Sequence, residues 1–513
     1  MSKGTFEEFL AALRSFESGI DPSQAEKYKK GYDDPRATKY WNVESPGVPL
    51  FKGGKIEQSD VSYREYFKRL GVEGLYDNFK LMQYASINYL GFVGYQVGES
   101  VVIETGYYKA PIKNFKTPSG DDVTGPSYYV FIPRDSKYWR EFTSKDDTVP
   151  FRWTEDSEWI LATAYNKWEG SWTGKHDITS LKDLKKPENG DRVIKDVMAH
   201  NLSTVIRTLK GTKTESDYAT LKRWIGNEVS LKSSAGVVTT VKVTMSGLLA
   251  GAHLAGAAGV ANALITGTDP GDESGTRLST YINNYQDYAT IFDSPGDDEI
   301  IAQSGDTVTC GWGHDTVTIA SHIEGQPVHI ILHESETAGD TTDIKGFDAN
   351  SDRIVIRDWK QPLEFEPDGM TPKSPSTVTK YNNDLIFGQL GQKSQKLTLH
   401  DLDSEVIGKI KYASMFIIGH SWQLKWGGDP DIFLFNVDAD VLLPAGGMAF
   451  KHLYIWDDKW KSDQGATIHL KDENNYYYIV AVLSGVSSTK LTEENFSENF
   501  MGTYKDIHWK PDS

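Results

Sequence analysis

The sequence predicts a multidomain α+β protein with three parts. These are a mainly helical domain at residues 1–285, a short parallel β-roll with flanking strands at residues 286–425, and a C-terminal β-module at residues 426–513. Apolar residues recur at helical spacing near the N-terminus, short β-branched runs with Gly and Asp begin at Asp293, and further strand-like runs follow residue 426. A chain of 513 residues is also too long for one ordinary core.

The first part opens with a predicted amphipathic helix, whose apolar residues are Phe6, Phe9, Leu10, Leu13 and Phe16. Segments 30–60 and 108–150 are rich in Gly, Pro, Asp and Tyr, which predicts ordered loops or small β-excursions. The uncharged run Ser246–Ile265 is mostly Ala and Gly, so its transfer into lipid is unfavourable compared with that of a Leu-rich span. We therefore expect a buried central helix and no membrane span, with His253 as a core histidine.

Strands are predicted wherever apolar and polar residues alternate over a short run. In the second part these runs are DTVTIA, PVHIILH, DRIVIRDW, DLIFGQL and KLTLHDL. In the last part they are DIFLFNV, KHLYIWDD, ATIHLKD and YYYIVAVLSG, joined by turns of Asp, Gly and Asn. The last part is therefore predicted to form a small β-module of its own.

A repeat lies at the start of the second part, where three units share the order Gly, optional residue, Asp, any residue, aliphatic. The aliphatic residues Ile300, Val308 and Val317 are spaced by eight and then nine residues, close to the nonapeptide period of a calcium-binding β-roll. A turn around a hard cation needs carboxylate oxygens, and glycine where φ is positive. The predicted calcium site residues are Gly296, Asp298, Gly305, Asp306, Gly311, Gly313 and Asp315.

This run resembles the repeats-in-toxin, or haemolysin-type, calcium-binding proteins. Gly311–Val317 matches the family unit G-x-G-x-D-x-aliphatic, and the resemblance extends over roughly residues 290–415. The first unit lacks its leading Gly and the second lacks the residue between Gly and Asp. The resemblance implies calcium as cofactor, a β-roll, and export to the extracellular space or cell surface by a type I system. Ordinary Gly-Asp turns in a β-domain are the alternative.

Charge and cysteine content limit the possible partners and compartments. The net charge of −18 repels phosphate backbones and anionic lipid surfaces, so nucleic acid is not an expected partner. The lone cysteine, Cys310, excludes an internal disulfide and is expected to be a buried small side chain. Residues 1–19 lack the basic and uncharged regions of a signal peptide, so classical signal-peptide export is not expected.

Three short landmarks in the first part resemble those of lysozyme-like lytic transglycosylases: Glu17-Ser18-Gly19, Gly91-Phe92-Val93-Gly94-Tyr95-Gln96 and Ala164-Tyr165-Asn166. The resemblance implies a lysozyme-like fold in which Glu17, partly desolvated, protonates a glycosidic oxygen. It assigns sugar binding to Gln96, Tyr165 and Asn166. Trp168 and Trp172 offer flat apolar faces for sugar rings, and packing in the core or on the surface is their alternative role. Gln96 lies one residue closer to Gly94 than the family pattern has it.

The favoured hypothesis is an extracellular, calcium-stabilised protein that binds or cleaves a polysaccharide or peptidoglycan. A second hypothesis is a non-catalytic surface-layer, filament or matrix protein that self-assembles, and a third is a cytosolic protein with incidental Gly-Asp turns. An enzyme is expected to place Glu17 beside Gln96, Tyr165 and Asn166 in a cleft. An assembly protein is expected to leave Glu17 solvated.

Overall fold

The computed structural model describes residues 3–43, 56–109, 111–116, 122–126, 129–133, 151–152, 157–161, 166–212, 214–271, 275–361, 363–403, 407, 409–419, 421–423, 431–432, 441–443, 453–458, 465–471, 477–484, 486–491, 495–496 and 508–509. This described part is a mixed α+β protein, which confirms the predicted fold class at that level. Of the residues given a function from the sequence, Tyr165 lies outside it.

Among the described residues, helices lie almost entirely within the first 285 residues. They are α1 Phe6–Ser18, α2 Ala25–Lys30, α3 Tyr63–Arg69, α4 Phe79–Ala85, α5 Glu99–Glu104, α6 Leu181–Leu184, α7 Pro187–Leu209, α8 Asp217–Trp224, α9 Met245–Ala255, α10 Ala257–Thr266 and α11 Leu278–Tyr285.

Helix α1 has local signals at both ends. Thr5 and Glu8 form a capping box that satisfies backbone N–H groups at its start, and Gly19 ends it with a left-handed φ of 65°. Its predicted apolar face is buried except for Phe16, which is 50% exposed and packs edge-on against Tyr281. The last turn of α1 therefore meets α11, and this contact places Glu17 beside the same helix.

The Ala- and Gly-rich run forms two helices rather than one. Helices α9 and α10 are bent by 112° at a break around Gly256, and most of α9 is buried. A Cβ on Gly251 would lie 3.0 Å from Leu278 and from Val260, so the small residues allow close helix packing. In the described residues no single helix is long and apolar enough to cross a membrane; only this bent pair passes on length and composition.

The first part also contains short strands, several of them in segments 30–60 and 108–150, for which the sequence predicts ordered loops or small β-excursions. Short antiparallel pairs join β1 with β2, β3 with β9, β4 with β5 and β10 with β11, and β6, β7 and β8 form a three-stranded sheet. Their bounds are β1 Thr38–Val43, β2 Ile56–Val61, β3 Tyr108–Lys109, β4 Ile112–Lys116, β5 Asp122–Pro126, β6 Tyr129–Pro133, β7 Phe151–Arg152, β8 Ser157–Leu161, β9 Ser171–Trp172, β10 Glu228–Lys232 and β11 Val238–Lys242.

Residues 299–419, which we call the parallel β-region, form two sheets. Along the chain from β12 to β17, successive strands alternate between them. One sheet has the order β12-β14-β16-β20-β19-β18, in which β19 is antiparallel to both β18 and β20. The other sheet has the parallel order β13-β15-β17-β21. The bounds are β12 Glu299–Ala302, β13 Thr307–Cys310, β14 His314–Ile319, β15 His329–Leu332, β16 Thr341–Lys345, β17 Arg353–Arg357, β18 Thr377–Tyr381, β19 Asp384–Leu390, β20 Gln395–His400 and β21 Phe416–Gly419.

The repeated aliphatic residues belong to two sheets rather than to one. Ile300 pairs with Val317 in one sheet, whereas Val308 pairs with Ile330 in the other. All four side chains are buried. Each repeat unit therefore supplies one strand and half a turn of the chain, which explains why the spacing is eight or nine residues.

Strands also dominate the described residues of the last part. A five-stranded sheet has the order β23-β27-β26-β25-β28, and β22 pairs with β24. The bounds are β22 Ser421–Gln423, β23 Asp431–Ile432, β24 Val441–Leu443, β25 Leu453–Asp458, β26 Gly465–Lys471, β27 Tyr477–Ser484 and β28 His508–Trp509.

The helical part and the parallel β-region share one hydrophobic core. It runs from Phe6 and Phe9 in α1 through Phe292 to Val308 and Phe416. The predicted boundary at residues 285 and 286 therefore crosses packed side chains, and whether the two parts fold independently stays a prediction.

Candidate metal centre and candidate acid site

Three acidic side chains meet where the first repeat turns stack: Asp293, Asp298 and Asp315. Each offers one carboxylate oxygen, and the three oxygens lie within 4.8 Å of one another. Asp293 and Asp315 are buried, with 2% and 1% exposure, and Asp298 is partly buried. Buried carboxylates this close repel one another, so the arrangement requires protons or a bound cation.

Two glycine-containing turns bring Asp298 next to Asp315. A Cβ on Gly313 would lie 2.1 Å from the carbonyl oxygen of Gly296, and φ of Gly313 is 125°, so glycine is required there. The N–H of Asp298 donates to Asp315 Oδ1 at 3.1 Å, and the N–H of Gly311 donates to Oδ2 at 2.6 Å. The predicted turn glycines thus shape the cluster and orient one of its carboxylates.

The charges in this cluster affect each other. Burial, reinforced by the Asp293 carboxylate and opposed by hydrogen bonds from Ser294, raises the pKa of Asp298 to about 7. Burial together with nearby acids raises the pKa of Asp315 to about 8. Burial beside the same three carboxylates raises the pKa of the Cys310 thiol well above its usual range. Cys310 is therefore a buried neutral thiol, as expected from the sequence.

Asp293 has one satisfied oxygen and one that is not. Its Oδ2 lies 2.7 Å from Nδ1 of His333, whose ring stacks on Trp312 at 4.2 Å between centroids. Its Oδ1 is fully buried and has no hydrogen-bond partner among the described residues. Burial raises the pKa of Asp293, although His333 opposes this effect. An oxygen in this state is one that a cation would satisfy.

The three carboxylates form a donor set that could hold a hard cation. Carboxylate oxygens are hard ligands, and a Ca–O distance of about 2.3–2.6 Å puts oxygens on opposite sides of the ion about 5 Å apart. The three carboxylate oxygens lie within 4.8 Å of one another, so one ion could reach all of them. Asp293, Asp298 and Asp315 would hold the ion, and its positive charge would replace the protons that the buried carboxylates otherwise need.

The other predicted repeat acid lies elsewhere. Asp306 is buried, but its Oδ1 forms an ion pair with Lys195 of α7 at 2.9 Å and its Oδ2 accepts from the N–H of Gln303. Its charge is therefore already neutralised. Gly305 has the positive φ, 79°, that its turn needs. The structure thus brings Asp298 and Asp315 together but not Asp306, and it adds Asp293, which precedes the first repeat unit.

The acid site predicted at the end of α1 is also enclosed. The Glu17 side chain is only 7% exposed, and its Oε1 accepts a short hydrogen bond from the hydroxyl of Tyr281. His253 Nε2 lies 3.5 Å from the same oxygen. The Gln96 side-chain amide donates to the Glu17 main-chain carbonyl at 3.1 Å. The predicted neighbours Glu17 and Gln96 are therefore in contact, and Glu17 is desolvated as expected.

Tyr281 and His253 had no signal in the sequence that linked them to Glu17. Tyr281 lies in α11, more than 260 positions along the chain from the acid. His253 lies in the Ala- and Gly-rich helix α9, where composition favours a core role. Only the packing of α9 and α11 on the last turn of α1 brings the three side chains together.

Asn166 and Trp168 lie on a neighbouring loop rather than on Glu17 itself. The Asn166 side chain donates to the carbonyl of Leu90 at 2.9 Å, and the Trp168 indole N–H donates to the carbonyl of Gly91 at 2.8 Å. The rings of Trp168 and Trp172 are stacked at 5.7 Å with 3° between their planes. Both rings are partly exposed, so they offer an aromatic surface near the loop that carries Gln96.

Comparison with protein-family models, with curated proteins and with solved structures gives no match to this chain. The function must therefore be argued from the two sites themselves.

Proposed function

We propose that the chain is an exported protein that binds calcium through Asp293, Asp298 and Asp315, and that the parallel β-region is a calcium-binding β-roll. The observation that carries this proposal is the buried cluster of three carboxylates, whose oxygens lie within 4.8 Å of one another. Calcium would cancel their mutual repulsion and satisfy Asp293 Oδ1. A ligand that binds only the folded chain stabilises it by mass action.

The test is calorimetric titration of the full chain, first with calcium and then with magnesium. We expect saturable calcium binding that is lost in Asp315→Asn, because this change removes a buried ligand. Asp306→Asn is the matched control, since Asp306 has the same position in its repeat unit but pairs with Lys195. Absence of calcium binding by the wild type, or equal binding by Asp315→Asn, would overturn the proposal.

A second activity, glycan cleavage with Glu17 as the acid, is favoured by a separate observation. The Glu17 side chain is enclosed, and its Oε1 accepts a hydrogen bond from the Tyr281 hydroxyl. The Gln96 side chain donates a hydrogen bond to the Glu17 main-chain carbonyl. A desolvated carboxyl of this kind suits protonation of a glycosidic oxygen. Peptidoglycan or chitin is the expected class of substrate. An assembly protein is expected to leave Glu17 solvated, which differs from its enclosure here. An enzyme is expected to place Asn166 beside Glu17 as well, and Asn166 hydrogen-bonds to Leu90.

Cleavage is tested with purified peptidoglycan and with chitin, by measuring release of soluble sugars. We expect Glu17→Gln to abolish release, because the amide cannot donate a proton to the leaving oxygen. The control is Glu7→Gln, an exposed carboxyl on the same helix. If the wild type binds calcium but releases nothing, the non-catalytic surface or matrix protein becomes the better proposal.

A further inference from the structure

Glu99 is a buried acid that neither site uses. It is the first residue of α5 and is 3% exposed. Its Oε1 accepts a short hydrogen bond from the main-chain N–H of Trp168, and its own N–H donates to Asn166 Oδ1 at 2.7 Å. One residue therefore ties both ends of the Asn166–Trp168 segment to the start of α5.

The other side of the same segment is fixed to the loop at residues 88–97. A Cβ on Gly91 would lie 2.3 Å from the Asn166 carbonyl oxygen, and one on Gly98 would lie 2.7 Å from Asn166 Oδ1. The backbone approaches this closely only because both positions are glycine. Gln96, which contacts the Glu17 main chain, belongs to the same loop. The aromatic segment and the acid site are thus anchored to one loop.

The Glu99 carboxyl is buried with incomplete hydrogen bonding, which is energetically unfavourable for a residue with a purely structural role. Its Oε2 is fully buried and has no hydrogen-bond partner among the described residues. Burial, reinforced by Glu169 and opposed by the N–H groups of Trp168 and Lys167, raises its pKa to about 7. Buried acids with such strongly shifted pKa values concentrate at functional sites.

We propose that Glu99 is a positioning residue for glycan binding: by holding the Asn166–Trp168 backbone, it fixes the stacked Trp168 and Trp172 rings as a surface for a sugar ring. This inference rests on the glycan activity proposed above. Tyr108 supports the same arrangement, because its ring meets both indoles edge-on at 5.5 and 5.1 Å. The polar contacts of Glu99 act on the segment that carries the Trp168 ring, on which Trp172 stacks, rather than on the reacting bond.

Two variants separate this role from a general effect on folding. Glu99→Ala removes the acceptor for the Trp168 N–H, whereas Glu99→Gln keeps an acceptor oxygen at nearly the same place. With peptidoglycan as substrate, we expect Glu99→Ala to raise KM about tenfold with kcat within about threefold of the wild type, because uniform binding is lost. Glu99→Gln is expected to restore most of the affinity. Hydrogen exchange of peptides covering residues 166–172 is expected to be faster in Glu99→Ala only.

The outcomes distinguish this inference from the proposed activity. If the wild type neither cleaves nor binds glycan, the proposed activity is wrong. If hydrogen exchange at residues 166–172 is unchanged in Glu99→Ala, the anchoring role of Glu99 is wrong. If the wild type cleaves, Glu17→Gln is inactive and Glu99→Ala has a normal KM, the positioning role is wrong while the activity stands. A fall in kcat alone would equally contradict it, because it would assign Glu99 to the chemical step.

Discussion

At the scale of single residues, Gly313 decides whether the acidic cluster exists. A side chain there meets the Gly296 carbonyl oxygen at 2.1 Å and also has to adopt a φ of 125°. We expect Gly313→Ala to destabilise the protein by about 2–4 kcal/mol, the sum of backbone strain and overpacking. Calcium binding should be lost with it, because the two turns move apart. Thermal melting and calorimetric titration check both effects.

Gly339→Ala is the control for backbone strain alone. Gly339 has a φ of 95°, but nothing lies within 4 Å of its Cβ position. We expect a loss of only about 1 kcal/mol and normal calcium binding. Equal losses in the two variants would show that the close approach of Gly313 to Gly296 contributes nothing.

The pH dependence of stability should carry the signature of Glu99. Its pKa rises from 4.5 to about 7 on folding, so the folded state holds a proton that the unfolded state has already released. Stability due to this group is therefore greatest below pH 4.5 and falls as the pH rises through about 7. We expect Glu99→Gln to lose less stability than the wild type over that interval. Denaturant unfolding at several pH values measures this, and parallel curves for both proteins would contradict it.

The sequence predicts some of these residues and misses others for a clear reason. Asp298, Gly311, Gly313 and Asp315 follow a local repeat that points to them, although the same repeat also selects Asp306, which pairs with Lys195. Asp293 and its neighbour His333 lie outside the repeat pattern, and Tyr281 reaches Glu17 only through helix packing. Contacts between distant segments leave no periodic signal, and this limits what one sequence can show about a site.

At the scale of elements, strands were easier to predict than the helical part. The alternating runs DTVTIA, PVHIILH and DRIVIRDW correspond to β14, β15 and β17. The division of these strands between two sheets could not be predicted from alternation, because a strand has the same pattern in either sheet. Several strands of the small sheets in the first part lie in segments 30–60 and 108–150, where the sequence predicts ordered loops or small β-excursions, but the pair β10–β11 lies outside them and was not predicted.

Close packing of the bent helix pair α9–α10 accounts for the high Ala and Gly content of its sequence. Gly251 is buried against Leu278 and Val260, whereas the nearest atom to a Cβ on Gly259 is 3.4 Å away. We expect Gly251→Leu to destabilise the protein by about 1–3 kcal/mol through overpacking. Gly259→Leu should be neutral or stabilise by up to about 1 kcal/mol, because glycine is a poor helix former. Melting temperatures that change equally would argue against close packing at Gly251.

At the scale of the whole molecule, the acidic cluster lies next to the helical part. The His333 ring contacts Asp293 and stacks on Trp312, and Trp312 meets Tyr218 of α8 edge-on at 5.6 Å. Phe6 of α1 packs edge-on against Phe292, the residue before Asp293. Two chains of contacts therefore connect the cluster to the helices, and we expect the shared core to make their unfolding cooperative.

Calcium is therefore expected to stabilise the helices as well as the parallel β-region. At a concentration of 100 times its Kd it contributes about 2.7 kcal/mol, so the melting temperature of the full chain should rise by several degrees relative to the chelated protein. Hydrogen exchange in α8 should slow in parallel, because fixing Asp293 and His333 fixes the Trp312 ring against Tyr218. Asp315→Asn should abolish both effects and Asp306→Asn neither. Slower exchange confined to residues 293–319 would mean that the two parts unfold separately, despite their common core.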